Sequence, residues 1–311
     1  MQSWHASILS SALGSVIYVL DLPPHRFIVD TGHPAASDTT LKQLTDLGLL
    51  DNITAILLTH WHADHVGAAA QLCQASGAPL WAAPPSANAL SSREQHRLKL
   101  TPRPVQPQRL LEDGEQIVCA TECIEVLATP GHCADHLCFF LRERRVLIGG
   151  DLMGYDDVGT LDTTYSYRQS IQSMRHSIQS CELLKPRQIF PGHGPQLNDP
   201  RWLFSRVQRH LDVFERSPLI MVSHTLMPLL LLLIDSHGSM TMEELSAYTA
   251  DHGDFFSCFL DDITEAILLQ ELTKMVGILE VSGALSRENN RYTLGTQPGG
   301  LTRSWRPRIR T

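Results

Sequence analysis

A layered α/β protein is predicted by three observations on this 311-residue sequence. Short apolar runs rich in Val, Ile and Leu alternate with amphipathic stretches over the first two thirds, the pattern of strands interleaved with helices. Several of those runs end in Gly or Pro and then present a His or an Asp. The composition, 43% hydrophobic and 19% charged, is that of a folded chain and excludes disorder or collagen-like repeats for its bulk. The length fits roughly two domains at about 150 residues each.

The elements follow in order. Residues 15–20 and Phe27-Ile28-Val29 flank the turn Leu22-Pro23-Pro24-His25-Arg26 and read as a hairpin, closed by Asp30-Thr31-Gly32. Residues 38–47 place Leu41, Leu44 and Leu47 at three-residue spacing behind a capping Asp or Thr, which predicts a helix. A strand over Ile53 to Leu58, an alanine-rich helix over His65 to Ser76 and a strand over Leu80 to Ala83 come next. A helix is expected near 86–98. Strands follow over 115–119, 124–128, 137–141 and 146–148, then a helix over 165–184 ended by Lys185-Pro186, then the strand Gln188 to Phe190. A helical stretch around 205–215 leads to a boundary near 216, giving a catalytic domain over 1–215. In the second domain, 216–298, helices are expected over 225–236, 241–250 and 263–282. The turn Asn289-Asn290 and the strand Arg291 to Leu294 complete a winged-helix outline. Residues 299–311 form a basic tail.

Charge and cysteine usage exclude several function classes. Residues 216–302 carry 4 basic and 11 acidic side chains, whereas nucleic-acid binding calls for a basic face. The longest apolar run, Leu226 to Ile234, is nine residues and contains Pro228, against about 20 for a membrane-spanning helix. The first apolar stretches lack a preceding basic region, so the chain reads as cytoplasmic. The seven cysteines include no C-x-x-C pair, which fits a reducing compartment rather than a disulfide framework.

The chemistry is concentrated in Thr59-His60-Trp61-His62-Ala63-Asp64-His65. Three imidazoles and a carboxylate this close lose hydration when buried, and a metal ion compensates them. Alternate residues His60 and His62 point to one side of a loop, while Asp64 and His65, at a helix start, point to a neighbouring spot; this suggests two metals side by side. Thr129-Pro130-Gly131-His132, Gly149-Gly150-Asp151 and Pro191-Gly192-His193-Gly194 each follow a predicted strand. Ligands gather at such carboxyl ends in α/β sheets. Tyr165 and Tyr167, on the approach to a helix after Asp151, are candidates to hold a substrate carbonyl or the developing oxyanion. Cys133, beside His132, reads as a packed thiol, and Asp135 and His136 as residues that orient His132.

With Asp30, the His-x-His-x-Asp-His block, His132, Asp151 and His193 in order over about residues 15–200, the chain resembles the metallo-β-lactamase-fold hydrolases. Asp135-His136 and Pro191-Gly192-His193-Gly194-Pro195, with Gly159-Thr160 and Tyr165-x-Tyr167, are similar to the lactamase-beta-2-like group, a relative of glyoxalase II. The resemblance implies a four-layer αββα sandwich followed by a mainly helical, winged-helix-like domain. It implies one metal on His60, His62 and His132, and a second on Asp64, His65 and His193. Asp151 and a hydroxide would bridge them, and Asp30 would steady the loop. Seven N/O ligands without Cys suit two Zn²⁺ per chain, with iron or manganese left open. The catalytic residues expected are Asp64, Asp151 and Tyr167, with the proton shuttled by Asp64 or Asp151. Asp151 argues against antibiotic hydrolysis, because true class B β-lactamases lack the bridging Asp. The expected reaction is hydrolysis of a small thioester, ester or lactone, its acyl group borne by CoA or a carrier protein. The apolar C-terminal part favours packing onto the catalytic domain, a homodimer partner or a greasy substrate. Rival readings are a single-stranded-RNA endonuclease, which the acidic second domain disfavours, a sensor with a vestigial metal site, and a mononuclear-iron persulfide dioxygenase.

Overall fold

A computed structural model describes residues 5–10, 15–84, 101–154, 157–162, 165–251 and 264–295. The helix expected near 86–98, residues 252–263 and the basic tail lie outside the described residues. The chain divides into two compact units, residues 1–159 with 172–210, and residues 160–171 with 211–311.

The first unit holds two six-stranded sheets. One contains β1 (His5–Ser10), β2 (Val16–Leu22), β3 (His25–Val29), β4 (Ala55–Leu57), β5 (Leu80–Ala82) and β6 (Arg109–Leu110) in spatial order. The other contains β7 (Gln116–Cys119), β8 (Glu122–Ala128), β9 (Leu137–Leu141), β10 (Val146–Gly150), β11 (Gln188–Pro191) and β12 (Leu197–Asn198), also in order. Val16, Tyr18, Leu20, Phe27 and Leu57 of the first sheet meet Ile117, Val126, Phe139, Ile148 and Phe190 of the second in one core. The alternate residues Ile17, Val19, Ile28 and Ile56 face outward against α1 (Ser37–Asp46), α2 (Ala63–Val66) and α3 (Ala69–Ser76). Because β2 is buried on both faces, its sequence alternates only weakly in polarity. Helix α4 (Tyr167–Leu183) covers the outer face of the second sheet, where Ser177 Oγ donates to the Pro130 carbonyl at 2.7 Å. Helix, sheet, sheet and helix make the four layers expected.

The alanine-rich helix predicted over 65–76 is two helices, broken at Gly67-Ala68. A Cβ on Gly67 would stand 2.3 Å from the Gly32 carbonyl oxygen, so the chain crosses there only with glycine. Strand direction then decides where ligands gather. Strands β3 and β4 are parallel. Strands β8 and β10 both run antiparallel to β9, and β11 runs parallel to β10. Each sheet therefore delivers the carboxyl ends of its ligand-bearing strands at one edge.

Helix α5 (Arg201–Arg216) leads into the second unit, which holds α6 (Pro218–His237), α7 (Met242–Asp251), α8 (Glu265–Val281) and a three-stranded sheet. In that sheet β13 (Met240–Thr241) and β14 (Leu285–Glu288) flank β15 (Arg291–Leu294). Thr241 and Glu244 cap α7 reciprocally: the Thr241 N–H donates to Glu244 Oε2 at 2.7 Å and the Glu244 N–H to Thr241 Oγ1 at 3.1 Å. Helix α6 starts seven residues before the predicted 225, with Pro218 in its first turn, where its missing N–H costs nothing. At 20 residues it is long and apolar enough to cross a membrane by length and composition, which the nine-residue run alone did not suggest. Its Met221, Val222, Leu226, Leu230, Leu233 and Ile234 are buried within the protein.

Phe139 sits fully buried between the sheets. Phe139→Ala is expected to lower the unfolding free energy by about 3–5 kcal/mol, measured as a drop in urea midpoint at unchanged m-value.

Candidate metal centre

The site is built on one carboxylate in an uncommon place. Asp30 follows β3 with φ 60°, a left-handed conformation rarely taken by a side-chain-bearing residue. Its Oδ1 accepts the Thr59 N–H at 2.8 Å. Its Oδ2 accepts the Thr59 hydroxyl and the His65 Nδ1–H, each at 2.8 Å. Thr59 Oγ1, having given its proton to Asp30, accepts from His60 Nδ1 at 3.0 Å. Both imidazoles are thereby fixed with Nδ1 protonated and Nε2 presented inward. His60 Nε2 is buried and has no hydrogen-bond partner, a placement that costs free energy unless a cation takes the lone pair.

Two groups of donors result. His60, His62 and His132, with Cys133, have ligand atoms within 4.8 Å of one another, and so do Asp64, His65 and His193. A third grouping, His60, His65 and Asp151, overlaps both. His132 Nε2 stands 2.8 Å from His62 Nδ1. His193 Nε2 stands 3.3 Å from His65 Nε2 and 3.2 Å from Asp64 Oδ2. Asp151 faces both sides: Oδ1 is 3.3 Å from His65 Nε2, and Oδ2 is 3.4 Å from His193 Nε2 and 3.7 Å from His132 Nε2. The seven residues predicted as ligands thus lie together at the strand ends. The donor set, imidazole and carboxylate at mutual distances that single cations span, fits divalent metal.

The surrounding contacts hold this arrangement. The Asp151 N–H donates to His136 Nε2 at 3.1 Å, and His136 Nδ1 is 2.8 Å from Thr129 Oγ1. The backbone N–H of Trp61 donates to Asp135 Oδ2 at 3.0 Å. Asp135 and His136, expected to orient His132, thus brace Trp61 and Asp151 through these bonds. On the far side the Val16 N–H donates to the Gly192 carbonyl at 2.8 Å, and the Tyr18 hydroxyl to the Pro191 carbonyl at 2.6 Å. A Cβ on Gly192 would stand 2.2 Å from Asp151 Oδ1, so glycine there keeps room for the carboxylate. Tyr167 opens α4, in the second unit, with a buried ring under the Arg168 guanidinium at 5.1 Å; Tyr165 is exposed.

Charge is unequally shared. Burial, and then the neighbouring imidazoles of His65, His62 and His132, push His60 well below the ordinary histidine range. Burial also opposes charge at His65 and His193, but Asp151 and Asp64 outweigh it, raising His65 and pushing His193 up to about 10. Against the penalty of burial, the same imidazoles hold Asp151 and Asp64 below the usual carboxylate range.

Two outcomes are expected. In metal-free protein the His193 Cε1–H resonance titrates near pH 10, while His60 stays neutral far below its ordinary range. The charged His193 therefore favours the fold most fully below about pH 6.5, and that contribution fades as pH rises through its folded pKa. Asp30→Asn weakens cation affinity about 10- to 100-fold, read by competition with a chromogenic chelator.

Comparison with known proteins bears on this site. The family model described as "Metallo-beta-lactamase superfamily" matches residues 11–193. A "Beta-lactamase-like protein 2 homolog" of Caenorhabditis elegans is 26% identical over 190 residues, 60% of this chain and 57% of that protein. The chain thus spans little more than half of that relative. An "Atrochrysone carboxyl ACP thioesterase" of Aspergillus fumigatus is 26% identical over 259 residues, 80% of this chain and 74% of that protein. Among solved structures, a metallo-beta-lactamase family protein from Thermus thermophilus superposes with TM-score 0.57 at 21% identity, covering 94% of this chain and 99% of the other. TTHA1623, solved in a di-iron-bound form, superposes with TM-score 0.52 at 27% identity, covering 63% and 96%.

Proposed function

Since the chain belongs to the metallo-beta-lactamase superfamily, we propose that it is a dinuclear zinc hydrolase of a small acyl thioester carried by CoA or an acyl-carrier protein. The observation that carries this reading is Asp151, one carboxylate within 3.3 to 3.7 Å of imidazoles in both donor groups. His60, His62 and His132 would hold one cation, Asp64, His65 and His193 the other, and Asp151 both. Two such cations acidify a water and offset negative charge on a carbonyl oxygen. Asp64 and Asp151, kept ionised by their neighbours, are the carboxylates able to accept a proton beside the scissile bond.

The thioester class draws support from the carrier-protein thioesterase that is 26% identical over 80% of this chain. The 4 basic against 11 acidic residues of 216–302 weigh against a phosphodiester backbone as substrate.

The test is hydrolysis of acyl-CoA and acyl-carrier-protein thioesters, esters and lactones by zinc-loaded protein, with end-labelled single-stranded RNA in parallel. Thioester turnover is expected, falling by at least about 10²-fold in kcat for Asp151→Asn. RNA cleavage without thioester turnover in protein carrying two metals per chain overturns the reading.

A further inference from the structure

The donor group on the His60 side contains an atom outside the expected ligand set. Cys133 follows His132 directly, and its Sγ lies within 4.8 Å of ligand atoms of His60, His62 and His132. The residue is 3% exposed and its thiol belongs to no disulfide. A second observation points to the same spot: His60 Nε2, 1% exposed by residue, aims into the group without a hydrogen-bond partner. Sulfur and three imidazole nitrogens at these separations, with the Asp151 carboxylate, make five donors, a number zinc accepts in catalytic sites.

We propose that Cys133 Sγ is a fourth donor for the cation held by His60, His62 and His132. The inference rests on the dinuclear reading above and changes its chemistry on one side. The thiol gives up its proton to solvent as the cation enters, and the thiolate forms the bond. A thiolate is a softer donor than carboxylate or imidazole, so it biases this position toward zinc, whereas the Asp64, His65 and His193 group, which offers only nitrogen and oxygen, carries no such bias. The two positions of one site would therefore differ in metal preference.

The experiment is zinc K-edge X-ray absorption on the full chain loaded with two zinc ions, compared with Cys133→Ser. The wild type is expected to show a sulfur scatterer at about 2.3 Å, beside nitrogen and oxygen at about 2.0–2.1 Å, at one sulfur per two zincs. Cys133→Ser is expected to lose the sulfur shell and keep its circular dichroism spectrum and at least one zinc. A wild-type spectrum with nitrogen and oxygen alone at full zinc content overturns this inference and leaves the dinuclear reading intact. So does a sulfur shell that persists in Cys133→Ser. Failure of the folded wild type to retain any zinc overturns both. Cobalt loading gives a second readout: a near-ultraviolet thiolate-to-cobalt charge-transfer band in the wild type, absent from Cys133→Ser while the visible ligand-field bands remain.

Discussion

The carboxylate of Asp30 is shared among three donors: the Thr59 N–H, the Thr59 hydroxyl and the His65 Nδ1–H. It joins the end of β3 to the loop after β4 and sets the orientation of two imidazoles at once. The left-handed backbone at Asp30 costs of order 1–3 kcal/mol, tolerable where several charge-assisted hydrogen bonds depend on it. Without that anchor, His60 and His65 would be free to turn their Nδ1 atoms inward, and neither donor group would keep its geometry.

Around this anchor the protein keeps a dense cluster of titratable groups in a buried place. Packing alone does not favour that, because burial penalises each charge. The cluster persists because carboxylates and imidazoles are interleaved, so each ionised group has an opposite charge nearby. The His60 side has the fewest carboxylates and keeps its imidazole neutral; the His65 and His193 side has the most and draws protons. Two sheets packed through Tyr18, Phe139 and Phe190 form the frame that fixes these distances.

Much of this was legible in the sequence because the ligands punctuate it. A run such as Ile124–Ala128 ending in Thr129-Pro130-Gly131-His132 marks both a strand and what the strand delivers. The places that escaped were those decided by distant contacts. Strand β12 is two residues long and exists by pairing with β11. The break at Gly67 comes from the Gly32 carbonyl, 35 residues earlier in the chain. The start of α6 at Pro218 was masked because proline reads as a breaker unless it falls in a first turn. At the site, the histidines were legible by type and spacing. Cys133 was legible as a packed thiol, but its place beside His60, His62 and His132 was not, because a cysteine beside a histidine carries no signal of where its sulfur points.

The bonds that hold His193 run from the first strands of the unit: Val16 N–H to Gly192 and the Tyr18 hydroxyl to Pro191, the latter joining residues 173 positions apart. This has a consequence for biosynthesis. During translation the block from His60 to His65 leaves the ribosome long before His193 is made, so the nascent chain for a time offers only part of the Asp64, His65 and His193 group. On the dinuclear reading, capture of a metal pair would wait until β11 has paired with β10 and met β2. Loading would in this way be tied to completion of the first unit, and a chain truncated before residue 193 would keep His60, His62 and His132 but lack one donor of the Asp64, His65 and His193 group.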